Sequence, residues 1–377
     1  MTAPAAILRD LVAISSVSSE SNRPLVEWIK KVLEPLGWYQ RIYVYQDENG
    51  IEKNNLIVSP WPMEGATIEI ELAIVCHTDT VPYDATWKDA MHLREQDGSL
   101  HGCGACDVKG FLACMLAAVF EVDTSLLSKN FCLVFTADEE IGCRGARFLL
   151  EQQSFRARYA IVGEPTSLLP ARAGKGYCLA KISIIGKSAH SAFPDAGRSA
   201  IFAAARLLRE IETLAQEMTA YRNEAFSPPW TTLNIGEIHG GTAKNIVPAL
   251  CSMLLEWRPI PGQEPAFVLD CLHSILDRLA AEDATFVSEV QVLRMDEGFE
   301  TDATNAVIQA VLLKPNTESR TISFGTEAPW MAKMGADVVV IGPGSMQTAH
   351  SPRECVPVTE LEDCTHLLRT ALKQLCL

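Results

Sequence analysis

Four short runs of apolar and β-branched residues constrain this chain more than any other feature: ELAIVC (71–76), NFCLVF (130–135), YAIVG (159–163) and DVVVIG (337–342). None alternates apolar with polar residues, so each reads as a strand buried on both faces, as in a parallel sheet covered by helices. Helix-period segments accompany them. Val26, Ile29, Leu33 and Leu36 keep helical spacing ahead of Gly37, a natural C-cap, and 111–122 reads as a helix buried all round. Strands interleaved with helices predict an α/β fold whose mainly parallel sheet is flanked by helices.

The stretch 177–294 has a different grammar. A strand over 177–186 precedes a helix in which Ile201, Ala204, Leu208, Ile211, Ala215 and Met218 recur every three or four residues. Strands follow at 231–239 and 249–258, then a helix with Val268, Leu272, Ile275 and Leu279 on one face, then a strand over 285–293. The order βαββαβ predicts a ferredoxin-like unit. A chain of 377 residues is too long for one typical core. The expected organisation is an α/β domain in two segments, 1–174 and 295–377, with an inserted domain over 175–294.

Charge narrows the partners. A net charge of −15 argues against nucleic acid, whose phosphates need clustered Lys and Arg, and suits a neutral or cationic small molecule. The N-terminal MTAPAAILRD reaches Arg9 and Asp10 before a signal-like apolar core forms. The longest apolar stretch, FLACMLAAVF at 111–120, lies between Lys109 and Glu121 and is too short to span a bilayer. Twelve cysteines scattered through strands and helices read as reduced thiols. A soluble, cytoplasmic protein with no membrane partner is expected.

In open α/β sheets, ligands bind beyond the carboxyl ends of the strands. The four runs end at His77 with Asp79, at Asp138-Glu139-Glu140, at Glu164, and before the loop carrying His350; Asp107 lies in HGCGACDVKG ahead of the buried helix. Two histidines and several carboxylates therefore converge on one sheet edge. Their mutual repulsion would raise their pKa values unless divalent cations relieve it. Imidazole mixed with carboxylate suits zinc, with cobalt or manganese as substitutes. Two histidines and three carboxylates fit two ions sharing a carboxylate, ~3.5–4 Å apart, and a further acid is left to activate water.

Each signal has a plain structural reading when taken singly. His77 could be a hydrogen-bonded turn residue, DEE a solvated loop and GEP a turn; their shared position after buried strands favours the joint reading. His101, Cys103 and Cys106 lack the second cysteine pair of a zinc knuckle. Cys76 precedes His77 on a strand, so it faces the other way and packs. His92, His239, His273 and His366 read as structural.

HTDTVP (77–82), GCGACDVKG (102–110), TADEEIG (136–142), VGEPT (162–166), GKSAHSAFPDAGRSAI (186–201) and GPGSMQTAHSPRE (342–354) resemble, in order and spacing, the successive motifs of the aminoacylase and carboxypeptidase family of di-zinc metalloamidases. The resemblance covers nearly the whole chain. It implies a catalytic α/β domain with an inserted lid or dimerisation domain, two Zn²⁺ ions and a likeness to homodimeric enzymes. By this resemblance His77 and Glu164 would bind one zinc, Glu140 and His350 the other, and Asp107 both. Asp79 would hydrogen-bond His77 and fix its tautomer, and Glu139 would be the general base. His190, of the chain itself or a partner subunit, would donate to the oxyanion.

Within the family, VGEPTSLLPARAGKG, TTLNIGEIHGG and GTEAPW are most similar to the branch that deacetylates N2-acetyl-L-ornithine in arginine biosynthesis. That implies Arg258, with Asn245 nearby, for the substrate α-carboxylate, and Glu327 either for the δ-ammonium or as a helix cap. Acetylcitrulline, succinyl-diaminopimelate or another N-acyl amino acid are the alternative substrates. A non-catalytic binding protein of the same fold is the alternative of a different class. Cys76 and Cys106 stand where relatives often carry smaller or hydroxylated residues.

Overall fold

The four apolar runs form neighbouring parallel strands. A computed structural model describes residues 3–313 and 317–377. In it, Phe131–Thr136, Ile68–His77, Phe155–Val162 and Asp337–Val340 lie side by side in that order, each pair parallel. An antiparallel hairpin, Tyr39–Gln46 and Glu52–Ser59, extends the sheet beyond Phe131–Thr136. The sequence reading contains no such hairpin. Its inner strand EKNNLIVS is almost wholly buried although it begins with charged and amide side chains, and polar residues are buried only when partners satisfy them.

This sheet belongs to the first of two compact units, Met1–Arg172 with Glu300–Arg320 and Thr326–Leu377. Its main core lies on one sheet face. Leu72, Ile74 and Cys76 pack there against Phe111, Leu112 and Met115 of the helix Lys109–Phe120 and Leu368 and Leu372 of the helix Val358–Cys376. The helix Lys109–Phe120 is buried on every side, in keeping with its unbroken apolar sequence. Arg23–Leu33 buries Leu25, Val26, Ile29 and Leu33 and runs into a short 3₁₀ turn that Gly37 ends at φ +66°.

The second unit comprises Ala173–Phe299 and Thr321–Gly325. Its strands Tyr177–Ile185, Thr232–Gly240, Leu250–Arg258 and Val287–Asp296 and helices Ala200–Glu217 and Ala266–Glu282 follow the order βαββαβ. The all-antiparallel sheet runs Thr232–Gly240, Leu250–Arg258, Tyr177–Ile185, Val287–Asp296. Both helices bury one stripe on it: Ala204, Leu207, Ile211 and Leu214 from the first, Val268, Leu272, Leu276 and Leu279 from the second. Ile201, expected on the buried face, is 40 % exposed, because the stripe descends from Ala200 just after the Ser199 cap. The strand Val287–Asp296 carries this unit past residue 294, and Thr321–Gly325 returns to it, a second crossing that the expectation of one inserted segment does not contain. Among the described residues, no helix is long and apolar enough to cross a membrane.

Candidate metal centre

The winding of the sheet reverses at the strand Ile68–His77. From it the chain crosses to Phe131–Thr136 on one side, then returns to Phe155–Val162 on the other. Such a reversal leaves a crevice at the carboxyl ends of the strands. His77 is the last residue of its strand, Glu139 and Glu140 follow Thr136, and Glu164 follows Val162 after a single glycine. A Cβ at Gly163 would lie 2.1 Å from the Phe111 ring, so only glycine lets this strand end close over the helix below. Asp107 sits just before that helix, and His350 comes from the loop after Asp337–Val340, at φ +58°.

Two ligand groups result, His77–Asp107–Glu164 and Asp107–Glu140–His350, each with its donor atoms within 4.8 Å of one another. His77 Nε2 lies 3.3 Å from one Asp107 oxygen, and His350 Nε2 lies 3.0 Å from the other and 3.2 Å from Glu140. Asp107 thus faces both groups, one oxygen to each. Among the described residues, Glu164 Oε1 is buried without a hydrogen-bond partner. An orphaned buried carboxylate oxygen is costly, and a cation is what would satisfy it. The donor set of imidazole and carboxylate fits zinc.

The electrostatics agree. Burial, then the charges of Glu139 and Asp107, pushes the Glu164 carboxyl well above its ordinary range. Burial, with the negative charges of Glu140, Glu327 and Asp107 outweighing His77, pushes Glu139 up to about 8. Burial works against ionised Asp107, yet its hydrogen bonds with His350 and His77 hold it below the usual carboxylate range. Hydrogen bonds to Asp107 and Glu140 push His350 up to about 10. Carboxylates crowded in this way hold protons that a metal ion displaces.

The support of His77 differs from the expectation. Its Nδ1 is 3.0 Å from the backbone carbonyl of Asp79, whereas the Asp79 carboxylate is 3.7 Å away. The carbonyl accepts from Nδ1–H and so fixes the tautomer, leaving Nε2 to face Asp107. The Asp79 carboxylate turns instead to the next strand end, accepting from the Glu139 and Glu140 amides at 3.0 and 3.2 Å and from the Ser18 hydroxyl at 2.8 Å. One residue, Thr78, between His77 and Asp79 is enough spacing for a backbone contact, and the Asp79 side chain is left free for a longer reach.

Other supports were not singled out in the sequence. Glu354, 1 % exposed, accepts from the Cys106 and Asp107 amides at 3.1 Å each. Cys143 Sγ donates to Glu139 Oε1 at 3.4 Å. Only the position of Glu354 at the end of SPRE, beside His350, could have flagged it.

The residues expected to bind substrate fall in different places. Glu327, in the first unit, precedes the helix Ala328–Lys333 without capping it through its side chain. Both its oxygens are buried, and burial pushes it up to about 7, against the opposing influences of His77 and Thr136. In the second unit, Arg258 donates from Nε to Glu256 at 2.8 Å and from Nη1 to the Ser323 carbonyl, and it stacks 4.8 Å over Tyr177. Asn245 is not near it within the chain. Asn245 precedes the short strand Ile246–Val247 that pairs with Ala189–His190, beyond the Leu250 end of Leu250–Arg258. Arg258 closes the other end, about 26 Å along the strand at ~3.3 Å per residue. Exposed His190 accepts the Ala192 amide on Nδ1 at 3.1 Å, which places its proton on Nε2. Cys76, Cys103 and Cys106 are buried, and His92, His239, His273 and His366 are exposed and outside both ligand groups.

Comparison with known proteins agrees with this centre. The chain is 44 % identical over 376 residues to the acetylornithine deacetylase of Myxococcus xanthus, covering 98 % of this chain and 97 % of that one. Its fold matches the crystal structure of an M20 family metallo-carboxypeptidase from Sulfolobus solfataricus, with a TM-score of 0.75 at 18 % identity over 100 % of this chain and 99 % of the other. It also matches a dinuclear metal-binding peptidase of the M20 family from Bacillus subtilis, with a TM-score of 0.69 at 17 % identity over 99 % and 97 % of the two chains. The model of peptidase family M20/M25/M40 matches residues 73–374, the span that holds every ligand of both groups. The chain belongs to peptidase family M20/M25/M40 and is a metal-dependent hydrolase.

Proposed function

We propose that this chain hydrolyses the amide of N2-acetyl-L-ornithine to L-ornithine and acetate at a centre of two zinc ions, as a homodimer joined through its inserted domain, in cytoplasmic arginine biosynthesis. The observation that carries the two-metal reading is the pair of ligand groups sharing Asp107. The substrate reading rests on the Myxococcus xanthus relative. His77 and Glu164 would hold one ion, Glu140 and His350 the other, and Asp107 both. Zinc bound there, with cobalt or manganese as substitutes, would polarise the scissile carbonyl and acidify the attacking water.

Glu139 is the base in this reading. Its backbone amide is tied to Asp79, its carboxyl is crowded by other acids, and no ligand group includes it. It takes a proton from the attacking water and returns it to the leaving nitrogen as ornithine departs. His190, from the same or a partner subunit, offers Nε2–H to the oxyanion of the tetrahedral intermediate. Arg258 would turn its guanidinium to the substrate α-carboxylate and Asn245 would add an amide donor. Glu327, with both its oxygens buried, would receive the δ-ammonium.

The test is amine release by metal-reconstituted protein on N2-acetylornithine, acetylcitrulline, succinyl-diaminopimelate and acetylmethionine, with and without chelator. Chelator-sensitive preference for acetylornithine is expected. Preference for another of the four would keep the centre and replace the substrate. No hydrolysis of any would overturn the catalytic reading in favour of a binding protein.

A further inference from the structure

The edge hairpin Tyr39–Ser59 is joined to the turn that carries Glu139 and Glu140 at four places. Lys53 Nζ, 1 % exposed, donates to Asp138 Oδ1 at 2.7 Å and also to the carbonyls of Ser18 and Glu20 at 2.6 and 2.9 Å. Tyr45 OH donates to Asp138 Oδ2 at 2.8 Å, and its ring lies 5.1 Å from that of Phe148. Asn55 Oδ1 accepts the Ala137 amide at 3.0 Å, and Glu48 at the hairpin tip pairs with Arg144. The fit is close: a Cβ on Gly145 would come within 2.3 Å of Asn55 Oδ1.

The turn needs such support. Asp138 has φ +58°, a left-handed conformation that non-glycine residues adopt at a cost, and Cys143 has φ +52°. Strained positions persist where their surroundings over-determine them. Both Asp138 oxygens are held by hairpin side chains, while both Asp79 oxygens hold the next two amides, of Glu139 and Glu140. Ser18 joins the two halves: its hydroxyl donates to Asp79 and its carbonyl accepts from Lys53. The turn is gripped from the hairpin at Asp138 and from the crevice at Asp79.

We propose that Tyr45 and Lys53 are positioning residues that act through Asp138 to hold the Glu139 carboxylate in its working place. The inference rests on Glu139 being the base. Neither residue belongs to a ligand group, and their side-chain hydrogen bonds run to Asp138 and to the carbonyls of Ser18 and Glu20. A misplacement of the base of about 1 Å costs on the order of 10²-fold in rate. Loosening one of the two grips should therefore lower kcat and leave KM and metal content near their original values.

The experiment compares Tyr45→Phe and Asp138→Asn with the unchanged enzyme, all metal-reconstituted, on the preferred substrate of the panel. Tyr45→Phe keeps the ring against Phe148 and removes one hydrogen bond, so it stays folded even if Asp138→Asn does not. Metal per chain, kcat, KM and amide hydrogen exchange over 137–143 are measured. The expected result is a drop in kcat of roughly tenfold for Tyr45→Phe and on the order of 10²-fold for Asp138→Asn. KM and metal content are unchanged, and exchange at 139–143 is faster. Unchanged kcat per folded, metal-loaded Tyr45→Phe enzyme would overturn the proposal, whatever its thermal stability. A fall in metal content that accounts for the lost activity would overturn it too, by making the network a support of Glu140 alone. An unchanged enzyme that hydrolyses none of the panel would overturn the functional reading and this inference with it.

Discussion

Glu139 and Glu140 carry the same side chain one residue apart, yet the turn after Thr136 separates their surroundings. Glu140 lies 3.2 Å from His350 within a ligand group, while Glu139 stands outside both groups beside Cys143. Glu139→Gln is expected to keep its full metal content by elemental analysis and to lose roughly 10²–10⁴-fold in kcat. A metal-replete Gln variant that remains fully active would refute the base assignment. Glu327 allows a test of electrostatics. Burial pushes it up to about 7 from an ordinary 4.5, so between these values it keeps in the folded state a proton that the unfolded chain has lost. The folded state then binds more protons, and stability must fall as pH rises through that window. Glu327→Gln, always neutral, should make the melting temperature of metal-free protein decline less between pH 5 and pH 8. Equal slopes for the two proteins would mean that Glu327 is already charged when folded.

At the scale of elements, the site is made by strand ends closing on a helix. The strand Phe155–Val162 presents Glu164 only because Gly163 leaves room for the Phe111 ring. Gly163→Ala forces the ring or the strand end aside, and overpacking of this kind costs about 1–3 kcal/mol. A lower melting temperature and weaker zinc retention are expected together; retention unchanged in a destabilised protein would detach Glu164 from the metal. The elements most legible in the sequence were the four parallel strands and the two helices of the second unit, since burial on two faces or one leaves a periodicity that can be read directly. The hairpin Tyr39–Ser59 was not legible. Lys53 and Asn55 are polar, and they are buried because Asp138 and the Ala137 amide meet their side chains from distant parts of the chain, while Asn22 bonds the Asn54 backbone. The backbone carbonyl of Asp79 as the partner of His77, and the roughly strand-length separation of Arg258 from Asn245, were hidden for the same reason: both depend on how a chain direction resolves in space.

For the whole molecule, metal binding should be a large term in stability. An ion that binds only the folded state at a hundred times its dissociation constant adds about 2.7 kcal/mol, so chelation should lower the melting temperature measurably. The same binding must expel protons, because Glu164 and Glu139 lie above their ordinary values when only protein charges surround them. Zinc affinity is therefore expected to weaken as the pH is lowered, and calorimetry in two buffers of different ionisation enthalpy should report net proton release. No proton release would mean the carboxylates are already ionised before the ion arrives. By itself the sequence determined the α/β class, the parallel strands, the βαββαβ order and the residue types at the strand ends, because hydrophobic period and turn chemistry are local properties. Only the tertiary structure decided which oxygen of Asp107 faces which histidine, that Asp79 holds the Glu139–Glu140 turn, and that Lys53 and Tyr45 are tied to Asp138. Those are distances between residues up to hundreds of positions apart, fixed by packing the sheet and its edge, and no local pattern encodes them.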